Sequence, residues 1–169
     1  MKKIKFLGIS LILGLVLLMG GCGSSNELDF RSVLDTETGT ILSLGDRQAD
    51  FDAALGQGIV PENARNHVIH YGDLAVFFNN DRAVEITIRN MSERFEFRYV
   101  SMNVTNEELE EYFVDTLADL TMSSFHFYSR FFDSRGRLTT EENARYVSVI
   151  SLNRDDRSFQ SMSIATWNR

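Results

Sequence analysis

Between Ala83 and Arg89 apolar and polar positions alternate strictly, with Val84, Ile86 and Ile88 on one face and Glu85, Thr87 and Arg89 on the other. A period of two predicts a half-buried antiparallel strand. His67 to His70 and Leu74 to Phe78 read as strands around Tyr71-Gly72-Asp73, and Asn79-Asn80-Asp81-Arg82 supplies a turn of residues that tolerate positive φ. Phe95, Phe97 and Tyr99 alternate with Glu96 and Arg98 and extend the sheet. Phe125 to Phe132, Tyr146 to Leu152 and Phe159 to Trp167 are further strands, rich in aromatic and β-branched residues. Two stretches switch to helical period. Phe51, Ala54 and Leu55 share a face between a cap at Asp46 and a stop at Gly56. Thr105 with Glu108 forms a capping box, and Leu109, Tyr112, Phe113, Leu117 and Leu120 follow at helical spacing, which predicts a helix over 106–121. Thr139 with Glu142 marks one more short helical turn.

The first 22 residues follow none of these periods. Lys2, Lys3 and Lys5 precede an uncharged apolar run from Phe6 to Met19, and Gly20-Gly21 then lead into Cys22, the only cysteine in the chain. The run is too short to span a bilayer, which needs about 20 apolar residues. The order of basic, apolar and small residues is that of an export signal with a cleavage site. Small residues admit an extended backbone to a peptidase, and the thiol that follows is a nucleophile able to take up a diacylglyceryl group. In these residues the chain resembles the bacterial lipoprotein precursors. That resemblance implies cleavage between Gly21 and Cys22, lipidation of Cys22, and a membrane anchor on the extracytoplasmic face. Two or three acyl chains hold a protein stably where one does not. Residues 1–21 are then the signal peptide and 22–39 a lipidated tether, with the folded domain starting near Thr40.

Removal of the signal takes every lysine with it. The mature chain keeps 14 arginines against 24 acids, a formal balance of −10. Such a charge argues against nucleic acid, whose phosphates reward clustered cations, and against a polybasic membrane contact. The absence of lysine from the mature chain excludes a lysine nucleophile. With its one cysteine committed to lipid, the chain has no disulfide, thiolate metal site or catalytic thiol to draw on. Its stability must come from its core, for which 12 of the 13 phenylalanines, all but Phe6, are available.

Two units follow one plan of a helix and then strands that close on a polar hairpin. FFNNDRAVEITI and SLNRDDRSFQSMSI are alike around that turn, either through duplication of units 40–90 and 104–167 or through the general preference of hairpins for Asn and Asp. The phrase ILSLGDRQADFDAALGQG resembles the opening of SmpA/OmlA-type lipoprotein domains and of the β-lactamase-inhibitor-protein repeat, although Gln57 stands where proline usually follows Leu-Gly. The resemblance covers roughly residues 40–90. It implies a protein-binding or assembly module and carries over no functional residue.

Signs of chemistry are sparse. His67 and His70 are three apart, a spacing that faces opposite ways in a strand and does not converge on a metal. His126 reads as a semi-buried strand residue. No GxSxG or SxxK frames a nucleophile. Glu107, Glu108, Glu110 and Glu111 read as a solvated helix face, and Asp155-Asp156 lacks the loop of a calcium site. The aromatics of 125–132 exceed what one sheet face hides, so Phe125, Phe127, Tyr128, Arg130 and Phe132 are candidates for a partner groove, with core packing as the competing use. The expected fold is a single α+β domain over 40–169, with an antiparallel sheet of five to seven strands and helices mainly on one face. The expected function is a non-catalytic, lipid-anchored module that binds a protein or envelope component and needs no cofactor. The alternative is a small envelope enzyme or small-ligand carrier whose site residues meet only in three dimensions.

Overall fold

The computed structural model describes residues 29–62, 67–90, 92–97, 114–115, 125–153 and 155–167. Strands β1 (Ser32–Asp35), β2 (Thr40–Ser43), β3 (Val68–Tyr71), β4 (Leu74–Asn79), β5 (Arg82–Arg89), β6 (Phe95–Phe97), β7 (Val114–Asp115), β8 (Phe125–Phe132), β9 (Tyr146–Asn153) and β10 (Phe159–Thr166) form two antiparallel sheets with one described α-helix, α1 (Gln48–Leu55). The larger sheet has seven strands in the order β3-β4-β5-β10-β9-β8-β7, and the smaller has three in the order β2-β1-β6. The described fold is therefore mostly β. A second sheet takes much of the place that helices were expected to fill.

Three parts of the architecture follow directly from the hydrophobic pattern. Asn80 and Asp81 both adopt positive φ, 50° and 63°, which closes β4 onto β5 in a tight hairpin. In β3, β4, β5, β10, β9 and β8 the alternating residues Tyr71, Leu74, Ile88, Met162, Ile150 and Tyr128 lie in one cross-strand row, and all six are buried. α1 brings Phe51, fully buried, onto this face, with Ala54 and Leu55 packed beside it. Each such side chain contributes about 1.5–3 kcal/mol on burial. Gly56 ends the helix at φ 84°, a conformation that a residue with Cβ adopts only under strain.

The helix begins differently from expectation. Asp46 does not cap it; its carboxylate accepts the Ser43 N–H at 2.7 Å and closes the preceding turn. Arg47 takes the cap position, and Asp50 reaches back to accept its N–H at 2.9 Å. The segment is also tied to the sheet, since Gly45 N–H donates to the Ala83 carbonyl at 2.8 Å and Ala83 N–H to the Asp46 carbonyl at 2.9 Å. Strand β5 accommodates this by a bulge. Phe77 pairs with Glu85 but Phe78 pairs with Ala83, so Val84 is left over. Ala83 is buried in consequence and Val84 only half-buried, which corrects the strict alternation expected there.

Three expectations about boundaries are also corrected. The fold begins before Thr40: Ser32–Asp35 form the central strand of the small sheet, so the tether does not extend to residue 39. Phe95–Phe97 pair with β1 rather than extending the large sheet, because the aromatic face they carry closes the other side of the core. The helix expected over 106–121 lies outside the described residues except at Val114–Asp115. Those two pair with Ser129 and Tyr128 as strand, giving the outer edge of β8 backbone partners. Tyr99 lies outside the described residues as well. The short helical turn is a 3-10 turn at Glu141–Asn143, with Thr140 rather than Thr139 at the position before it and no side-chain capping bond.

The small sheet is locked by one charge pair. Asp35 has a fully buried side chain and accepts Arg94 Nε at 3.0 Å and Nη2 at 2.8 Å, together with the Thr38 hydroxyl at 3.0 Å and the Glu37 N–H at 3.1 Å. The Arg94 guanidinium, aided by the Thr38 and Glu37 bonds, holds the Asp35 carboxyl below the ordinary carboxylate range against the opposing effect of burial. A depressed folded-state pKa gives stability that is present above the unfolded value, near pH 4, and is lost as pH falls through the folded value. Asp35→Ala is expected to cost about 3 kcal/mol in urea denaturation at neutral pH. Asp35→Asn is expected to flatten the acid side of the stability profile below about pH 4.

Candidate functional site

One face of the large sheet packs on α1 and the small sheet; the other is the candidate binding face. Strand register fixes its composition. His70, Ala75, Thr87, Ser163, Val149 and Ser129 follow one another across six strands. The rows on either side carry Phe77, Glu85, Ala165, Val147 and Phe131, and Arg89, Ser161, Ser151 and Phe127. Small side chains therefore occupy the middle of the face over β5, β10 and β9. Half-buried aromatics stand on the β8 side, where the Phe131 ring meets Trp167 edge-on at 5.3 Å.

The polar groups of this face gather toward β3. Arg89 Nη2 donates to the Gly72 carbonyl at 2.8 Å, and the Thr87 hydroxyl donates to Glu85 at 3.2 Å. His70 is half-buried, with its backbone N–H and C=O both bonded to Ile59, at 2.8 and 2.9 Å. Burial, reinforced by the Arg89 charge, holds the His70 imidazole below its usual pKa. Phe127, Phe131 and Arg89 are of the aromatic and arginine types enriched in recognition surfaces, whereas Ala75, Ser129, Val147 and Ser151 of the same face are buried and Thr87, Ser161 and Ser163 half-buried.

The five residues expected to line a groove do not do so together. Tyr128 and Phe132 are core residues, the first with its hydroxyl accepting from Arg157 Nη2 at 2.6 Å, the second 5.6 Å from the Phe30 ring. Arg130 follows their parity, its guanidinium 5.9 Å from the Phe132 ring centre. Phe127 belongs to the opposite, candidate face, and Phe125 opens β8 opposite Asn153. Strand alternation places the two sets on opposite faces of β8, and the sequence carries no sign of which set meets the core. His67 is exposed and stands apart from the candidate face residue His70. Among the described residues no three His, Cys, Asp or Glu side chains gather as a metal site. Cys22 and Gly21 lie outside the described residues.

What sequence reasoning missed is the central carpet. Ser161, Ser163 and Ala165 alternate with Met162 and Ile164, a readable two-residue period, but their alignment with Thr87 and Val149 depends on pairing across the chain. No family model matches the chain, and neither the curated proteins nor the solved structures include a significant match.

The depressed His70 pKa has a consequence for stability. Above the unfolded histidine value, near pH 6.5, the neutral ring costs the fold nothing; below it, the unfolded chain binds the proton first and stability falls until the folded value is reached. Thermal unfolding from pH 7.5 down to pH 5 is expected to show a smaller drop for His70→Gln than for the wild type.

Proposed function

We propose that the protein is a bacterial envelope lipoprotein, anchored through acylated Cys22, whose domain binds a protein or envelope component and performs no catalysis. The observation that carries the reading is the constellation of Lys2, Lys3 and Lys5, the apolar run, and Gly20-Gly21 before the only cysteine. It supplies an export signal, a cleavage site and an acylation nucleophile in the order that processing uses them. A domain tethered at a membrane surface meets partners there at raised effective concentration, so a modest contact surface suffices.

The two sheet halves support the module reading. β3-β4-β5 and β10-β9-β8 run outward from the central β5–β10 pair in mirrored order. We read them as two duplicated units, consistent with the likeness of the β4–β5 and β9–β10 hairpins. Joining the two three-stranded units yields a broad face, on which the half-buried Thr87, Ser161 and Ser163 at the β5–β10 seam are small. The resemblance to the SmpA/OmlA-type domains and the inhibitor-protein repeat points the same way.

Intact mass of the membrane-extracted protein tests the anchor. The expected result is loss of residues 1–21 with an acyl increment that is absent in Cys22→Ser. Crosslinking on intact membranes tests the binding role. One specific partner should be recovered with the wild type, and its yield should fall about tenfold with Ser163→Arg, which plants a long cation in the central carpet. Repeated recovery of no specific partner would reject the binding role and turn attention to enzymes or small-ligand carriers.

A further inference from the structure

The way the chain enters the fold limits how an anchored domain can sit. Phe30 is buried, its ring 5.6 Å from Phe132 and, edge-on, 5.2 Å from Tyr146. It also fills the space over Gly136, where an added Cβ would lie 2.4 Å from Phe30 Cδ1. The chain is thus pinned from Phe30 onward against the loop that joins β8 to β9. Only seven residue steps separate Cys22 from Asp29, a reach of at most about 25 Å. A domain of this length is roughly 35–40 Å across, from its expected radius of gyration. The tether is shorter than the domain is wide, so the end bearing Phe30 stays near the bilayer.

That end has the features of a membrane contact. Leu138, one of three large apolar residues left exposed among the described residues, projects from the same loop at 59% exposure. Its backbone is held by a bridge to Phe132, so the side chain is presented from a fixed position. The loop is also electrically neutral: Asp133, Glu141 and Glu142 offset Arg135, Arg137 and Arg145, in a mature chain of formal balance −10. Anionic headgroups repel the remainder of the domain over the screening distance of about 8–10 Å and leave this end free to approach.

We infer that the β8–β9 loop beside Phe30 rests on the lipid headgroup layer, with Leu138 as its apolar contact. This orientation rests on the lipid anchor proposed above. It leaves Ile59 and Val60 remote from the bilayer: Ile59 bridges to β3, the first strand of the sheet, and Leu138 bridges to β8, the sixth. Five strand spacings amount to about 24 Å.

The test uses the full-length protein processed in cells. Acylation consumes the thiol of Cys22, so Leu138→Cys or Val60→Cys presents a single reactive thiol for an environment-sensitive nitrobenzoxadiazole label. Both sites are exposed, at 59% and 63%, and tolerate the change. The labelled proteins are reconstituted into phosphatidylethanolamine–phosphatidylglycerol vesicles that contain nitroxide-labelled lipid. For protein shown by mass to be acylated, quenching at 138 should exceed that at 60 by at least about twofold, as expected for a side chain reaching the headgroup–acyl boundary. Equal quenching at the two sites in acylated protein overturns the orientation and leaves the anchor standing. A mass without acyl chains overturns the anchor, and the orientation with it.

Discussion

The pairing of β5 with β10 is the constraint on which the rest of the structure depends. It joins strands about 70 residues apart, and closing a loop of that length costs about 4 kcal/mol in chain entropy. Ile86 opposite Ile164 and Ile88 opposite Met162 oppose that cost with four almost wholly buried side chains, worth about 1.5–3 kcal/mol each as an upper bound. The contact therefore outweighs its closure. Without it the large sheet would be a three-stranded fragment, β3-β4-β5, and a four-stranded one, β10-β9-β8-β7, each with an unpaired central edge and part of a core. With it, a buried row across six strands becomes continuous, and α1 and the small sheet have a surface to cover.

The Asp35–Arg94 pair does comparable work at smaller scale. β1 and β2 form a hairpin that local sequence nearly accounts for, but β6 reaches β1 from some 60 residues away. A buried carboxylate is costly unless its lone pairs are filled. Here two guanidinium bonds, a hydroxyl and a backbone amide fill them, so only one arrangement of the small sheet leaves Asp35 satisfied. Apolar contact between β1 and β6 tolerates sliding; this charge pair does not.

How much of this was legible follows from the range of each interaction. The Asn80-Asp81 hairpin, the strands on either side of it, α1 and its Gly56 stop are local, and periodicity with turn chemistry located them. The bulge at Val84 was not legible, because it exists to let Ala83 meet the Gly45–Arg47 segment, a contact set by the tertiary fold. β1 was missed for a related reason. SVLD is four residues with no sustained period, and its strand character comes from two neighbours, β2 and β6, rather than from itself. At the candidate face, the five β8 residues offered as one groove fall on both faces of the strand, as its two-residue period requires. Only the presence of Phe30 and the core beneath one set decided that Tyr128 and Phe132 were buried there, while Phe127 and Phe131 stand half-buried on the opposite face.

The placement of β1 also bears on what a lipid anchor does to this fold. In the anchored protein proposed above, any pull between membrane and partner enters through the tether at Phe30 and passes directly into β1. A terminal strand at a sheet edge would peel away one bond at a time under such a load. β1 instead lies between β2 and β6, so force along it loads the hydrogen bonds of both neighbours together, with the Asp35–Arg94 pair as a stop at its far end. Phe30, wedged against Gly136, Phe132 and Tyr146, joins the point of entry to the large sheet as well. A chain with no disulfide to secure its leading end thus secures it by position: the first strand after the tether is the one strand of the small sheet that cannot leave without breaking both of its interfaces.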